Sequence, residues 1–490
     1  MNQRKTHRKQ RVHRFAAILV GAVAGISVLM LNACSAPTSV DDPLATLRAT
    51  DRSPRQHRLA IDQLTMQPAP EGADKVLHAV IWRPGYTVEV REMTPNRLAE
   101  SDLKELHRTI RNNYPRMGMP LWSERLAEII AERNWTELTP ALVSRWGYIP
   151  SAHGDELGRA EYKALAAMYG SDEVIDLVFT MFVESTRVAQ QGLRMRCWNL
   201  LHRLDQRDRL IMLVQNAAPT ENDLLLQDLQ QIAMELGLVP YNSEEILWGR
   251  KLLTPEYAEV WSQIRTGMTM VPADRRSSME FRDLPIVAAA SIHEPELLAM
   301  SFNALYADVE ARLKQEEHFA RTDMVDSLVT TRQGQIREVR EKITWGDLVA
   351  MRMALRAMHV PEIIDHFYDY AERDRADEST EYGGVMRLDA QNRFELIEFV
   401  PRIRDHDAKF VAPQAMFDAA YNALFHFHYH AQRYRNNEYA GPGHGDMNYA
   451  NNTRANCLVL TFVGRNRLNV DFYRHSNVWV DLGTIERPGT

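Results

Sequence analysis

The sequence predicts an α+β protein, in which a large, mainly helical N-terminal and central region, a bundle or an irregular solenoid, precedes a smaller α+β domain at the carboxyl terminus. Two observations predict this fold class. Apolar residues recur with the helical period over most of residues 100–375, and from residue 377 onward they alternate with the period of two that β-strands show. Helices and strands that occupy separate stretches of a chain are typical of α+β folds.

The composition is that of a folded protein with several domains. The chain has 490 residues, of which 45% are hydrophobic and 25% are charged, and domains usually comprise roughly 100–200 residues. Three cysteines exclude a disulfide scaffold. We expect five segments: a signal peptide at 1–33, a tether with short helices at 34–75, a mainly helical domain with a small strand segment at 76–270, a helical region at 271–375, and the α+β domain at 377–485.

The amino terminus has the layout of a secretory signal. Six basic residues and no acid precede an almost wholly apolar segment from Phe15 to Leu31, after which Asn32-Ala33-Cys34 follows. Leu31-Asn32-Ala33-Cys34 resembles the lipobox of bacterial lipoproteins, which implies cleavage before Cys34, acylation of Cys34 and a lipid-anchored location in the cell envelope. An uncleaved membrane anchor and simple secretion are the alternatives.

The net charge argues against a nucleic-acid partner. The whole chain carries −7, and loss of residues 1–33 removes six positive charges and leaves −13. Proteins that bind nucleic acid neutralise several phosphates with clustered Lys and Arg. We therefore expect a peptide or protein substrate or partner, and contact with a membrane through the lipid anchor.

The first part of the helical region predicts two kinds of element. Residues 43–66 predict one or two short helices, which end at a cluster of Pro and Gly residues. Residues 78–90 alternate in part between apolar and polar positions, and they predict two short strands with a turn at Pro84-Gly85.

Helical spacing then dominates up to residue 375. Apolar stripes predict helices that begin near Val174 and near Leu225. The mixed charges of residues 306–342 are typical of a solvated helix face. A further helix begins after Thr344 and contains several methionines, which we interpret as core residues, and Pro361 begins the next helix.

The last domain predicts a sheet with one intervening helix. Residues 413–422 predict the helix, and a long loop is expected between the third strand and the last three. The predicted strands are Val385 to Leu388, Phe394 to Val400, Ala423 to His430, Cys457 to Val463, Leu468 to Tyr473 and Val478 to Leu482.

This domain holds the residues that could form a metal-binding or catalytic site. His426, His428 and His430 recur at every second position, so a strand places all three on one face. A glycine-rich turn that ends in Asp446 follows. Two neutral imidazoles and one carboxylate leave a fourth tetrahedral position open, as a hydrolytic zinc requires. A histidine cluster satisfied by hydrogen bonds within the sheet is the alternative interpretation.

Three motif pieces in this domain stand in the order of a known family. They are Glu381-Tyr382-Gly383-Gly384-Val385, then His428-Tyr429-His430 or His426-Phe427-His428, then Gly443-His444-Gly445-Asp446. Together they resemble the JAMM (MPN-type) metalloprotease domain, whose motif joins a glutamate on the first strand, H-x-H at a strand end, and S-x-x-D. The resemblance covers residues 377–485.

The resemblance implies a zinc site and a catalytic base. His428, His430 and Asp446 would bind one zinc per chain, with His426 as the alternative ligand, and Glu381 would accept a proton from the attacking water. The family serine, which helps to stabilise the oxyanion, is replaced by Gly443. A substitute donor is expected from Asn448, Asn451 or Asn452.

Two functions follow from these observations. The first is an envelope-anchored zinc metallohydrolase that cleaves a peptide, isopeptide or related amide bond. The alternative is a non-catalytic lipoprotein with a helical partner-binding body and an inactive JAMM-like module. The chain has no HExxH, no G-x-S-x-G and no P-loop, which argues against other common hydrolase and nucleotide chemistry.

Overall fold

The computed structural model describes residues 38–66, 70–148, 155–218, 220, 222–276, 278–325, 328–401, 410–487 and 489. The predicted signal peptide and Cys34 lie outside these residues. The chain forms two compact units, of which the first ends at Asp102 and the second runs from Leu103 to Thr490. Within the described ranges, no helix combines the length and the apolar character needed to cross a membrane.

The first unit is helical where the structure describes it. Its helices are α1 (Pro43–Arg48), α2 (Pro54–Met66), α3 (Ala73–Trp82) and α4 (Val88–Ser101). The strands predicted within residues 78–90 are therefore wrong. The buried residues of α3 follow the helical spacing of one face rather than strict alternation, and Gly85, with φ of 98°, belongs to a turn between two helices.

The second unit begins with a long series of helices, as the sequence predicts. Asp223 caps α12 by accepting a hydrogen bond from the N–H of Leu226 at 3.2 Å, and Gly237 ends it in the left-handed conformation. The helices up to the sheet are α5 (Leu103–Asn113), α6 (Pro120–Glu132), α7 (Thr139–Tyr148), α8 (Ala160–Tyr169), α9 (Val174–Glu184), α10 (Gln191–Arg203), α11 (Arg207–Asn216), α12 (Leu224–Leu236), α13 (Ser243–Leu252), α14 (Ala258–Met270), α15 (Ala273–Arg276), α16 (Leu284–His293), α17 (Phe302–Leu313), α18 (Trp345–Ala357) and α19 (Pro361–Ala376).

A β-hairpin interrupts the stretch that the sequence analysis treats as helical and charged. Its antiparallel strands are β1 (Arg321–Val325) and β2 (Leu328–Arg332). The charges of residues 306–342 dominate the pattern, whereas the hairpin segment itself is rich in Val and Thr, which favour strands. The expectation of continuous helix over residues 306–342 is therefore wrong beyond α17.

A six-stranded mixed sheet occupies the carboxyl-terminal part, which confirms the α+β fold class. Its order is β4-β3-β5-β6-β7-β8, and only the β5–β6 pair is parallel among the described pairings. The strands are β3 (Gly383–Leu388), β4 (Phe394–Phe399), β5 (Ala423–His430), β6 (Cys457–Gly464), β7 (Arg467–Arg474) and β8 (Val478–Glu486), and the helices between them are α20 (Gln414–Ala419) and α21 (His444–Thr453).

The sequence predicts a long loop between β5 and β6, but this connection contains α21. Parallel strands need a crossover connection, and a helix usually forms it. The segment has few apolar residues, and only Met447 and Ala450 of α21 are buried, so a helical pattern is hard to recognise there.

One hydrophobic core extends through most of the second unit, from Ile232 on α12 to Ile485 on β8. It contains Met351 and Met353 of α18, which confirms their interpretation as core residues. It also contains the aromatic residues of β5, so helices and sheet share it. The core therefore continues across the expected domain boundary near residue 376.

A buried ion cluster also joins the helices to the sheet. Asp347, on the first turn of α18, accepts hydrogen bonds from Nη1 of Arg282 at 2.7 Å and from Nη2 of Arg474 at 2.8 Å. Its Oδ2 accepts another from the N–H of Thr344 at 2.8 Å. Burial opposes ionisation, but the two guanidinium groups outweigh it and lower the pKa of Asp347 to about 2.

A buried histidine of α10 makes the stability depend on pH. Burial and the charges of Arg207 and Arg454 lower the pKa of His202 to about 3. Below its ordinary pKa of 6.5, the imidazole is protonated in the unfolded chain, whereas in the folded protein it stays neutral down to about pH 3. Unfolding takes up a proton in this window, so stability falls as the pH falls.

We therefore expect His202 to lower the free energy of unfolding by about 2 kcal/mol between pH 8 and pH 5. Urea unfolding of the wild type and of His202→Phe at both pH values measures this contribution. The variant keeps a ring against Trp198 and Tyr241, and its stability should decrease less on acidification. An identical decrease in the two proteins would contradict the role assigned to His202.

Candidate metal centre

β5 presents three histidines on one face and aromatic rings on the other. His426, His428 and His430 alternate along the strand, and all three are buried. On the opposite face, Phe427 packs edge-on against Phe367 of α19, with ring centroids 5.8 Å apart. The observed strand therefore confirms the common histidine face that the alternation predicts.

α21 supplies the carboxylate. Because β5 and β6 are parallel, the crossover returns to the same edge of the sheet, and the first turn of α21 lies beside the carboxyl end of β5. Gly443 is the N-cap of α21, and its N–H donates to Oδ2 of Asp446 at 2.7 Å. The helix dipole adds to this bond in favouring an ionised carboxylate.

His428, His430 and Asp446 form a group that could hold a metal ion. One ligand atom from each lies within 4.8 Å of the other two. Nε2 of His428 lies 3.1 Å from Oδ1 of Asp446, and Nε2 of His430 lies 3.5 Å from Oδ2. Three of the residues predicted from the sequence are thus brought together at one point.

Two further contacts decide which ring nitrogens face this point. Nδ1 of His430 lies 2.9 Å from the carbonyl oxygen of Tyr439. A carbonyl only accepts, so Nδ1 carries the proton and Nε2 is left as the potential ligand. Nδ1 of His428 lies 3.4 Å from the hydroxyl of Tyr473, and its buried Nε2 faces Oδ1 of Asp446. Both Nε2 atoms thus face the carboxylate of Asp446, the arrangement that a shared cation would require.

The three groups polarise one another. Burial alone would lower the pKa of His428, but the carboxylate of Asp446 outweighs it and raises that pKa above its ordinary value. Burial would raise the pKa of Asp446, but His428 and His430 hold it well below its usual range. The group therefore concentrates negative charge opposite two imidazoles in a site with little solvent.

Strand pairing brings Glu381 to the same place. Gly383 pairs with His428 in the antiparallel register of β3 and β5, and Glu381 lies two residues before Gly383 on the same face. Its side chain is buried, and Gln432 donates a hydrogen bond to its Oε1 at 3.3 Å. The predicted base and the predicted ligands are thus neighbours in the fold.

Two cavities meet at this group, and Glu381, Gly445 and Asp446 line both of them. One, the aromatic cavity, has a volume of about 390 Å³. The other, the polar cavity, has a volume of about 630 Å³. Further residues of the aromatic cavity are Phe410, Met416, Phe417, His426, His428, Tyr449 and Tyr473; those of the polar cavity include Arg321, His430, Gln432, Arg433, Tyr439 and Gly443.

His426, the alternative ligand, does not belong to the metal-binding group. It lines the aromatic cavity, where its Nδ1 lies 2.7 Å from the hydroxyl of Tyr449. Burial lowers the pKa of His426 to about 4, so the ring is neutral at physiological pH. The geometry therefore favours the pairing of His428 with His430.

Arg321, at the start of β1, also lines the polar cavity, and no motif in the sequence points to it. It is buried, and its Nη1 donates to the carbonyl oxygens of Tyr439 and Gly441 at 3.2 and 2.8 Å. A Cβ atom added to Gly443 would lie 3.1 Å from Nη2 of Arg321. Arg321 thus occupies the space next to the position where the family has serine, and no sequence pattern connects it to that position.

The three asparagines suggested as substitute donors do not line either cavity. Asn451 of α21 instead accepts a hydrogen bond from the N–H of Ser476 at 3.0 Å. Asn448 is exposed. A donor for this site therefore has to come from elsewhere in the chain.

Comparison with protein-family models, with curated proteins and with solved structures found no match to this chain. The resemblance to the JAMM domain therefore remains a prediction that rests on the motif residues quoted above.

Proposed function

We propose that this protein is an envelope-anchored zinc metallohydrolase that cleaves a peptide, isopeptide or related amide bond. The observation that carries the proposal is the convergence of His428, His430 and Asp446, with Glu381 lining the same two cavities. Two nitrogen ligands and one carboxylate are a common ligand set of hydrolytic zinc, and they leave one coordination position open.

The residues fit a zinc ion on an observation separate from the motif. Nε2 of His428 is buried and faces Oδ1 of Asp446 3.1 Å away, in a geometry too poorly aligned for a regular hydrogen bond. When bound, zinc would polarise the substrate carbonyl as a Lewis acid and would lower the pKa of water to about 7. The carbonyl of Tyr439 fixes the His430 ring, as outer contacts to metal-ligating histidines usually do.

Glu381 supplies the proton transfer in this proposal. Its carboxylate accepts a proton from the attacking water and then donates it to the nitrogen of the leaving amine. The hydrogen bond from Gln432 holds Oε1 in position. The two cavities give the substrate room on both sides of Glu381, and the burial of the histidines keeps bulk water away from the reacting groups.

Metal analysis tests the proposal directly. The protein purified without chelators should contain about one zinc per chain, and His430→Ala should lose it because one of three ligands is removed. Glu381→Gln should retain the zinc, since a base is not a ligand, but its hydrolysis rate should fall by at least about 100-fold.

The two variants separate the possible outcomes. A wild type without zinc would overturn the metal assignment. Zinc retained by Glu381→Gln together with full hydrolytic activity would remove Glu381 from the reaction. His430→Ala that keeps its zinc would show that the ion lies elsewhere.

One observation favours the alternative function, a non-catalytic binding protein. Gly443 provides no hydroxyl where the family has serine, and loss of one oxyanion donor costs about 100–1000-fold in rate. A zinc-loaded wild type that cleaves no amide in a broad peptide library would favour this alternative.

A further inference from the structure

We infer that Tyr473 of β7 is a positioning residue of the metal centre, whose hydroxyl holds the ring of His428 so that Nε2 faces the proposed ion. The inference rests on the zinc site of the proposed function, and it goes beyond that function by assigning a residue outside the ligand set. It requires zinc binding but not hydrolysis, so metal affinity tests it without turnover.

The contact joins a hydroxyl of β7 to a ligand on β5. Oη of Tyr473 lies 3.4 Å from Nδ1 of His428, and the two rings meet edge-on with centroids 6.2 Å apart. Both residues are buried, so little water competes for either group. Within the described part of the chain, the imidazole of His428 has no other hydrogen bond. The hydroxyl is therefore the polar contact that can fix the orientation of this ring.

This contact selects one of the two neutral forms of the ring. A neutral imidazole carries a single proton, on Nδ1 or on Nε2. A proton on Nε2 would face Oδ1 of Asp446 in a poorly aligned geometry, whereas Nδ1–H can donate to the hydroxyl of Tyr473. The Nδ1–H form is thus favoured, and it leaves the lone pair of Nε2 for the metal.

The sheet register explains how Tyr473 reaches His428 across an intervening strand. β6 lies between β5 and β7, and Cys457 of β6 pairs with His426 on one side and with Tyr473 on the other. The small side chain of Cys457 leaves room for the phenol ring to extend towards β5. Tyr473 and Cys457 also belong to one buried apolar cluster with Met447 of α21. These contacts restrain the ring, so its hydroxyl is in place before a metal binds.

The two histidine ligands are then held in the same way. The carbonyl oxygen of Tyr439 accepts from Nδ1 of His430 at 2.9 Å, and the hydroxyl of Tyr473 has the corresponding place beside His428. Outer partners of this kind usually contribute to metal affinity. Because the partner of His428 is a side chain, a substitution can remove it, which is not possible for the backbone carbonyl.

Tyr449 of α21 provides a matched control. Its hydroxyl lies 2.7 Å from Nδ1 of His426, a histidine of the same strand that does not belong to the metal-binding group. Tyr449→Phe therefore removes a contact of the same chemistry from a ring that holds no metal in this proposal.

Zinc affinity tests the inference. Zinc-free wild type, Tyr473→Phe and Tyr449→Phe are titrated with zinc in competition with a chromophoric chelator. Tyr473→Phe should bind zinc about 10–100-fold more weakly than the wild type, the usual cost of losing an outer partner, whereas Tyr449→Phe should stay within about threefold. Circular dichroism and thermal unfolding show whether each variant keeps the fold.

NMR provides a readout that a merely structural role would not change. In zinc-free protein with isotope-labelled histidine at alkaline pH, the ring nitrogens of His428 report which of them carries the proton, and their signals are identified by their absence in His428→Gln. We expect the Nδ1–H form in the wild type and in Tyr449→Phe, and a mixture of both forms in Tyr473→Phe. The wild-type spectrum carries the test if Tyr473→Phe fails to fold.

The outcomes separate this inference from the proposed function. Unchanged zinc affinity in a folded Tyr473→Phe, or the Nε2–H form of His428 in the wild type, overturns the role of Tyr473 and leaves the zinc site standing. A wild type that binds no zinc overturns the metal site and this inference together. A zinc-loaded wild type that cleaves no amide contradicts only the hydrolase, and the loss of affinity in Tyr473→Phe would still support the inference.

Discussion

Replacement of Asp347 by Ala is expected to lower the free energy of unfolding by about 3–5 kcal/mol, because it removes a buried carboxylate that two buried guanidinium groups share. Arg282 keeps its ion pair with Glu280, and Arg474 loses its contact with Asp347. Asp347 and Arg282 are fully buried, and the side chain of Arg474 is 4% exposed. The variant also loses the acceptor for the N–H of Thr344 at the start of α18. Urea unfolding followed by circular dichroism at pH 7 measures the change.

An exposed ion pair provides the matched control. Glu310 and Lys314 lie one turn apart on α17, with 33% and 69% of their side chains exposed. Glu310→Ala removes one carboxylate from one cation, as Asp347→Ala does, but water replaces the lost contact. We expect a change of roughly 0.5 kcal/mol or less. A loss below about 1 kcal/mol for Asp347→Ala would show that the buried cluster contributes no more than a surface pair.

The second large effect concerns the carboxyl-terminal sheet. A fragment of residues 377–490 is expected not to fold, although its length suggests a domain with a core of its own. It would lose α16, α18 and α19, whose residues share the core with β5. It would also leave Arg474 without Asp347. Far-UV circular dichroism should show an unfolded or aggregated chain with no cooperative thermal transition.

A longer fragment tests the same reasoning. Residues 103–490 form a compact unit and retain the helices that cover the sheet, so this fragment should unfold cooperatively. Cooperative unfolding of the shorter fragment would instead show that the sheet needs neither the buried cluster nor the shared core. Recovery of its fold on addition of zinc alone would indicate that metal binding compensates for the missing helices.

Local patterns allowed much of the fold to be predicted. β5 was recognisable because its histidines and aromatics alternate at every position, and α12 because Asp223 and Gly237 mark its ends. The helix around Val80 was not recognisable, because its apolar residues fit an imperfect alternation as well as a helical face. Packing decides between the two, and a helix buries Leu77, Val80 and Ile81 together.

The residues of the candidate site were likewise only partly predictable from the sequence. His428, His430 and Asp446 could be proposed because residue type and spacing signal a metal group. Arg321 could not be proposed, since it lies more than 100 residues before the histidines and only the fold brings it into the polar cavity. The carbonyl of Tyr439, which orients His430, belongs to the backbone and leaves no signature in the side-chain pattern.

The crossover from β5 through α21 to β6 has a consequence for the order in which the site is assembled. Asp446 follows His430 by only 16 positions, so closing the loop between them has a small entropic cost. Glu381 and Arg321 join from much farther along the chain, and contacts between distant segments form slowly. The segment from β5 to β6 therefore contains all three residues that could hold a metal ion. Under the proposed function, metal binding would therefore need only local contacts, whereas hydrolysis would also need Glu381 from a distant part of the chain.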